Sequence, residues 1–519
     1  MSVKGDNISA NKRIAKNSIY LAVRMLITTC VALYTSRVLL SVLGIVDYGV
    51  YNVVCGFVIM FAFLNNAMVT GVQRFYNYEL GCNGIDGANH VFITSVYTQF
   101  ILAVVVVVLT ETIGLWYMYH KMVIPPERFS AALWIFQFAV ISLVMNIMSA
   151  PYAAAVMAHE EMKFYALVSL LDSVIKLLIA IVLPFIFTDK LVAYGFLILL
   201  LNVIIFFTYY FFARFKFEEI RFKFVFYKKL FWELLTFSSW NLFGKFAVMV
   251  KEQGLNMILN LFYGPIVNAA RAIAFQINGA LTGFVSSVSV AVKPQLTQSY
   301  AQGDKVRTFH LMNSMSKLCY IVLLLFAIPL CVEIDYVLAI WLGANVPEYT
   351  NVFVILVVIT LFVNNLNAPV SYVVHATGKM KKYQIVTSSI ELIMLPVSYI
   401  ILSFGAEPWI VFFVAFVFVT IGQVASLYIL RSIEYFSIRD YFRQIIIPLS
   451  LVTLVSLLSA LLIKYLLTEG FLRLLLVALV SIAVIALMTY SVCLNVSEKS
   501  IVKNFITSKL SFKKNSLYE

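Results

Sequence analysis

Charge is scarce in this sequence: aspartate, glutamate, lysine and arginine make up 12% of its 519 residues. A soluble chain of this length needs more polar surface than that supplies, which excludes a water-soluble enzyme or binding domain. Cysteine is also rare. Cys30, Cys55, Cys82, Cys319, Cys331 and Cys493 have neither metal-ligand spacing nor the density of a disulfide framework. Glycine (21) and proline (12) are too few for a collagen-like or low-complexity chain. No G-x-x-x-x-G-K-[ST] stretch is present, so ATP hydrolysis by a P-loop is excluded. His90, His120, His159, His310 and His375 are scattered and suggest neither a metal site nor a proton relay. No metal, cofactor or enzymatic activity is expected.

What is abundant is apolar, at 62% hydrophobic residues. A membrane span takes about 20 consecutive apolar residues. Fourteen such segments can be marked, at 16–40, 46–70, 91–117, 130–155, 164–187, 191–213, 231–260, 266–290, 315–340, 350–375, 383–403, 408–430, 444–467 and 471–493. The seventh and eighth are more polar, and Pro125-Pro126, Gly264-Pro265 and Glu407-Pro408 separate neighbours. The expected fold class is an all-α polytopic membrane protein of about 14 transmembrane helices.

The net charge of +13 supports that count. With the N-terminus in the cytoplasm, 27 of the 38 lysines and arginines fall in segments on the inner side, and five (Lys121, Arg128, Lys190, Lys464, Arg473) outside. That is the positive-inside asymmetry, and it puts both termini in the cytoplasm. The basic charge is spread over many connectors, so nucleic acid is excluded as a partner. The N-terminal basic and apolar stretch shows no small-residue cleavage site and reads as helix one rather than a signal peptide.

An internal repeat is visible. Ser149-Ala150-Pro151, Ala158, Met162, Lys163 and Tyr165 align at an offset of 218 with Asn367-Ala368-Pro369, Ala376, Met380, Lys381 and Tyr383. Gln73, Tyr78 and Gly81 align with Gln295, Tyr300 and Gly303 at 222. The repeat predicts an N-terminal lobe over 1–213, a basic cytoplasmic linker over 214–230 and a C-terminal lobe over 231–430. An added helix pair and basic tail fill 431–519. Two parallel six-helix lobes suggest a transporter with its site between them near mid-membrane; no filter or ring motif points to a channel. The linker, basic and interleaved with Phe and Tyr, reads as an amphipathic segment contacting lipid headgroups.

Six bases remain inside spans: Arg24, Arg37, Lys176, Lys245, Lys251 and Arg271. An ionisable group in hydrocarbon costs roughly 2.5–3.5 kcal/mol at mid-span, so such groups face a cavity or a partner. Arg24 and Lys245 are repeat-related at an offset of 221, which suggests an anion held between the lobes. Arg271, beside Asn268, Gln276 and Asn278, together with Lys251 and Glu252, extends this candidate anionic-headgroup cavity. The competing reading is ion pairing that fastens helices. Asp172 and Lys176, four apart, form a mutually neutralised pair; Arg37 can snorkel to headgroups; Glu391 is a candidate coupling acid. Asn52, Asn65, Asn66, Thr70, Asn256 and Asn260 are candidates for bonding a sugar or another helix.

Leu43-Gly44-Ile45-Val46-Asp47-Tyr48-Gly49-Val50-Tyr51-Asn52, followed by Val72-Gln73-Arg74-Phe75, resembles the bacterial polysaccharide flippases. These are the O-antigen and capsule repeat-unit exporters of the multidrug/oligosaccharidyl-lipid/polysaccharide exporter (MOP) superfamily. The resemblance implies two lobes in a V-shaped, MATE-like arrangement with a trailing helix pair, in the bacterial inner membrane. It implies export of a polyprenyl-pyrophosphate-linked oligosaccharide for polysaccharide or lipopolysaccharide biosynthesis, by alternating access. A glycan polymerase and glycosyltransferases would be partners, and membrane potential, protons or sodium would drive the cycle. Arg24, Lys245 and Arg271 are placed against the pyrophosphate by spacing, not by a matched motif. A cation-coupled multidrug exporter is the alternative within the superfamily, and a non-transporting scaffold for glycan assembly would not need polar cavity helices.

Overall fold

A computed structural model describes the backbone of residues 2–494, 498 and 499, except 160, 187 and 344. Side chains are described outside 2–26, 62–71, 236–246 and scattered positions within 74–81 and 287–301. Among the described residues there is no strand. In hydrocarbon every backbone N–H and C=O must be satisfied within the segment, and helices do that.

The first half contains α1 (Ser2–Ile59), α2 (Ala62–Leu109), α3 (Leu115–His120), α4 (Phe129–Ala158), α5 (Met162–Val182) and α6 (Lys190–Lys216). Next come α7 (Lys228–Tyr263), α8 (Pro265–Ala301), α9 (Lys305–Val332), α10 (Ile334–Leu342), α11 (Thr350–Thr377), α12 (Met380–Ser403) and α13 (Ile410–Ile433). The chain ends with α14 (Ile438–Tyr441), α15 (Ile447–Leu466) and α16 (Phe471–Met488). Among the described residues, 11 helical stretches are long and apolar enough to cross a membrane.

Helix boundaries differ from the apolar segments where a turn interrupts no hydrophobic run. Segments 16–40 and 46–70 meet inside α1, which bends at Gly44 with φ 79°, a conformation that favours glycine. Segment 46–70 in turn crosses the α1–α2 break at Met60 and Phe61, apolar residues that hydropathy cannot tell from helix.

Glycines with positive φ include Gly44, Gly84, Gly264 and Gly303. Pro151 lies within α4 and Pro369 within α11; the next helices start at Met162 and Met380.

The chain forms two compact units. Unit 1 comprises 1–283, 341–354 and 388–418; unit 2 comprises 284–340, 355–387 and 419–519. Unit 1 has one core around Val54, Phe57, Phe136 and Ile147 and another around Tyr76, Phe92, Val156 and Tyr209. In unit 2 a core runs through Leu324, Val370, Leu430, Val452 and Val477. There the α15–α16 pair is fastened to α9. Lys464 Nζ donates to the Val332 carbonyl at 2.6 Å, and Arg473 pairs with Glu333 at 2.6 Å. Lys464 and Arg473, counted from sequence only as topological charges, are therefore also structural ties.

The linker is pinned to unit 1 by the buried Glu219. Its carboxylate accepts from His159 Nε2 at 2.5 Å and Tyr76 OH at 3.0 Å, while Asn89 Nδ2 donates to the Glu219 and Arg221 carbonyls. Burial pushes this carboxyl up, but the bonds from His159, backbone and Tyr76 outweigh it and hold it below the usual carboxylate range.

Candidate functional site

The recognised stretch at 43–52 organises unit 1. Gly49 has to be glycine: a Cβ there would lie 1.9 Å from the Pro265 carbonyl oxygen at the start of α8. Gly56, two turns on, faces Gln253 and Asn256 of α7 in the same way, within 2.7 and 2.8 Å of an added Cβ. These close approaches bring asparagines together. Asn256 Nδ2 donates to the Asn52 carbonyl at 3.4 Å, and Asn268 Nδ2 reaches Asn256 Oδ1 at 2.7 Å. Asn260 exchanges bonds with the Val123 backbone at 2.9 and 3.1 Å. Asn256 therefore joins helices and Asn260 ties α7 to the segment between α3 and α4, while the Asn52 amide donates to the Tyr48 carbonyl of its own helix; Asn65, Asn66 and Thr70 lie outside the described side chains.

Asp47 of the same stretch grips Arg128 from Nε at 2.6 Å and NH2 at 2.5 Å, and Arg128 also holds Asp189 at 2.6 Å. Asp189 caps α6 through the Leu191 and Val192 N–H groups. Burial raises the Asp189 carboxyl, but Arg128 and the two N–H groups more than offset it and hold it below its ordinary range.

Beside this frame lie two adjoining cavities. One, of about 540 Å³, is lined by Tyr51, Asn146, Lys176, Tyr194 and Asn202 among others. The second, of about 290 Å³, shares Tyr51, Lys176 and Tyr194 and adds Asn52, Asp172 and Gln276. The Tyr51 and Tyr194 rings meet edge to face at 5.0 Å. Lys176 donates to Asp172 Oδ2 at 2.8 Å, and both remain partly accessible, at 41% and 27%. Amide, phenol and ammonium groups on a partly apolar wall suit a polar ligand with hydroxyls or negative charge.

Gln276 Nε2 donates to the Ala32 carbonyl and Trp341 Nε1 to that of Leu33, both at 2.8 Å, so α8 and α10 grip adjacent peptides of α1.

The other sequence candidates fall differently. Lys251 of α7 pairs with Glu391 of α12 at 3.5 Å, joining a proposed headgroup base to a proposed coupling acid. Arg271 is buried, stacks on Phe275 at 4.0 Å and donates from NH2 to the Glu252 carbonyl at 2.6 Å, while its Nε has no hydrogen-bond partner among the described residues. It lines neither cavity described above. Arg37 is exposed. The side chains of Arg24 and Lys245 lie outside the described residues.

Tyr51, Tyr194, Asn146 and Asn202 were missed as site residues. Helical spacing carried a signal for three of them: 48, 51 and 55 share a face of α1, and 194, 198 and 202 share one of α6.

No family model matches the chain, and no curated protein matches it. Solved structures do. A structure described as "Lipid II flippase MurJ, inward closed conformation" superimposes with a TM-score of 0.70 at 15% identity, covering 92% of this chain and 98% of that one. An inward-facing multidrug resistance MATE family transporter of the MOP superfamily gives 0.64 at 12% identity, with 79% and 97% covered. A MOP superfamily transporter from Pyrococcus furiosus, described as having a binding pocket of reverse polarity, gives 0.59 at 12%, with 80% and 95% covered. The chain is a multi-pass membrane protein with the fold shared by MOP-superfamily flippases and exporters.

Proposed function

We propose that the protein is a lipid-linked oligosaccharide flippase. It moves a polyprenyl-pyrophosphate-linked glycan repeat unit from the cytoplasmic to the periplasmic leaflet of a bacterial inner membrane by alternating access, with both termini cytoplasmic. The observation that carries this reading is the neutralisation of the one acid among the described residues that line the unit 1 cavities: Asp172 is paired with Lys176. A cationic drug needs an unpaired acid for an anchor, whereas Tyr51, Tyr194, Asn146, Asn202 and Lys176 suit sugar hydroxyls and a charged phosphate. Arg24, Lys245 and Arg271 remain the candidates for the pyrophosphate. Rocking would be driven by membrane potential, protons or sodium.

The test is genetic and chemical together. Deleting the gene should leave lipid-linked repeat units on the cytoplasmic face, and wild-type protein should restore surface glycan while R24A and K245A should not. Normal surface glycan in the deletion strain, with drug resistance on overexpression, would establish the alternative, a cation-coupled multidrug exporter of the same fold.

A further inference from the structure

The α4–α5 and α11–α12 connectors are repeat-related, yet they carry opposite charge. In the first, Glu161 precedes Met162, and its carboxylate is occupied by Lys216 at 2.6 Å. In the second, the equivalent position is Lys379, and Lys381 and Lys382 follow Met380. Topology alone does not require this, since the first connector is on the same side and manages with Lys163.

Lys379, Lys381 and Lys382 line one surface depression of about 470 Å³ in unit 2, whose remaining walls are Ile385 and Val386. Among the described residues no carboxylate forms an ion pair with any of the three. Glu434 exerts its charge on Lys379, but its oxygens are taken by Tyr300 OH at 2.6 Å and Lys305 Nζ at 2.7 Å. The first turn of α12 has no acid to balance its lysines. Crowding bases there opposes the helix dipole, a cost an anion would remove.

The order of residues along α12 narrows the anion. Ile385 and Val386 lie one turn beyond Lys381 and Lys382 on the same side, roughly 6 Å further along the helix, and Ile385 is about half exposed. Ammoniums at the helix end with an apolar wall one turn deeper match a phosphate headgroup and its first methylenes. A free phosphate would have no use for the wall. We infer that this depression is a binding site for an anionic phospholipid of the surrounding leaflet, holding its phosphate on Lys379, Lys381 and Lys382 and its upper chain against Ile385 and Val386. The site would tie α11 and α12 to the membrane surface whatever cargo the protein carries.

The test uses the purified full-length protein in neutral detergent, titrated with phosphatidylglycerol and followed by native mass spectrometry and thermal unfolding. Three lysines near a surface predict affinity about 100-fold weaker in K379Q/K381Q/K382Q. The charge-matched variant K503Q/K509Q/K513Q, on the C-terminal tail, should bind as wild type does. K379R/K381R/K382R should keep most of the binding and shows whether a loss comes from charge or from misfolding. Equal loss in the tail variant would reduce the effect to overall charge and overturn the site. An equal response to phosphatidylcholine or to inorganic phosphate would also overturn it, as would binding of a polyprenyl phosphate but not of phosphatidylglycerol.

Discussion

Two ion pairs, one in each unit, use the same chemistry for opposite ends. Asp172–Lys176 in unit 1 is local, four residues apart on one helix, and stays open to two cavities at 27% and 41% exposure. Glu333–Arg473 in unit 2 joins groups 140 positions apart and is closed, at 1% and 9%. A local pair neutralises a helix before any tertiary structure forms, so it adds little to the fold; its accessible position is what a ligand would use. A long-range closed pair fixes α16 against the end of α9, and Arg473 is held there further by the Leu467 carbonyl at 3.4 Å and Glu469 at 3.7 Å.

The largest expected effect is on the closed pair. Arg473→Ala would leave the Glu333 carboxylate buried and unpaired, a cost of about 3–5 kcal/mol, read as a fall in thermal unfolding temperature in detergent. Replacing both partners with methionine should recover most of it, because an apolar pair of similar volume has no charge to desolvate. An Arg473→Ala variant as stable as wild type would remove the basis for the comparison.

The open pair should respond the other way round. Lys176→Met should cost at most about 1 kcal/mol of stability, as exposed pairs do. If Lys176 bonds the cargo, transport should fall about ten- to 100-fold, the worth of one charge-assisted hydrogen bond. Measured on the same preparation, a transport loss no larger than the loss of folded protein would make this pair a fastener as well.

The two pairs also differ in how far they could be read from sequence. Asp172 and Lys176 reveal themselves by spacing. Glu333 and Arg473, or Lys251 and Glu391, do not, because only the packed helices bring them together. The helical class followed from hydropathy, and the orientation of the ends rested on basic residues whose other duties were invisible: Arg473 counts as one charge outside whether or not it is buried. Gly44 and Gly49 were legible only as part of a resemblance. Their reasons, a left-handed bend and a carbonyl 1.9 Å from a would-be Cβ, belong to the fold. Arg271 could be located inside a span from sequence, but whether its guanidinium met a cavity or a carbonyl depended on rotation about α8.

The Asp47–Arg128–Asp189 clasp lies between these extremes and gives the smallest effect. It is long-range like the closed pair but reached by solvent, with Asp189 36% exposed and Arg128 26%. Asp189→Asn should therefore lower stability by about 1 kcal/mol or less, while transport per folded molecule stays unchanged. The pH dependence carries a sign. The Asp189 carboxyl is held below its ordinary value in the folded state, so its contribution is fully present above the unfolded carboxyl's pKa of about 3.9. It disappears as pH falls through the folded value. Wild type and Asp189→Asn should thus differ in unfolding temperature at pH 7 and converge as the pH falls from about 4 through the folded carboxyl's lower value. A difference that persisted at low pH would mean that the variant disturbs the cap of α6 rather than the charge. The clasp would then differ in kind from the closed pair of unit 2, and not merely in exposure to water.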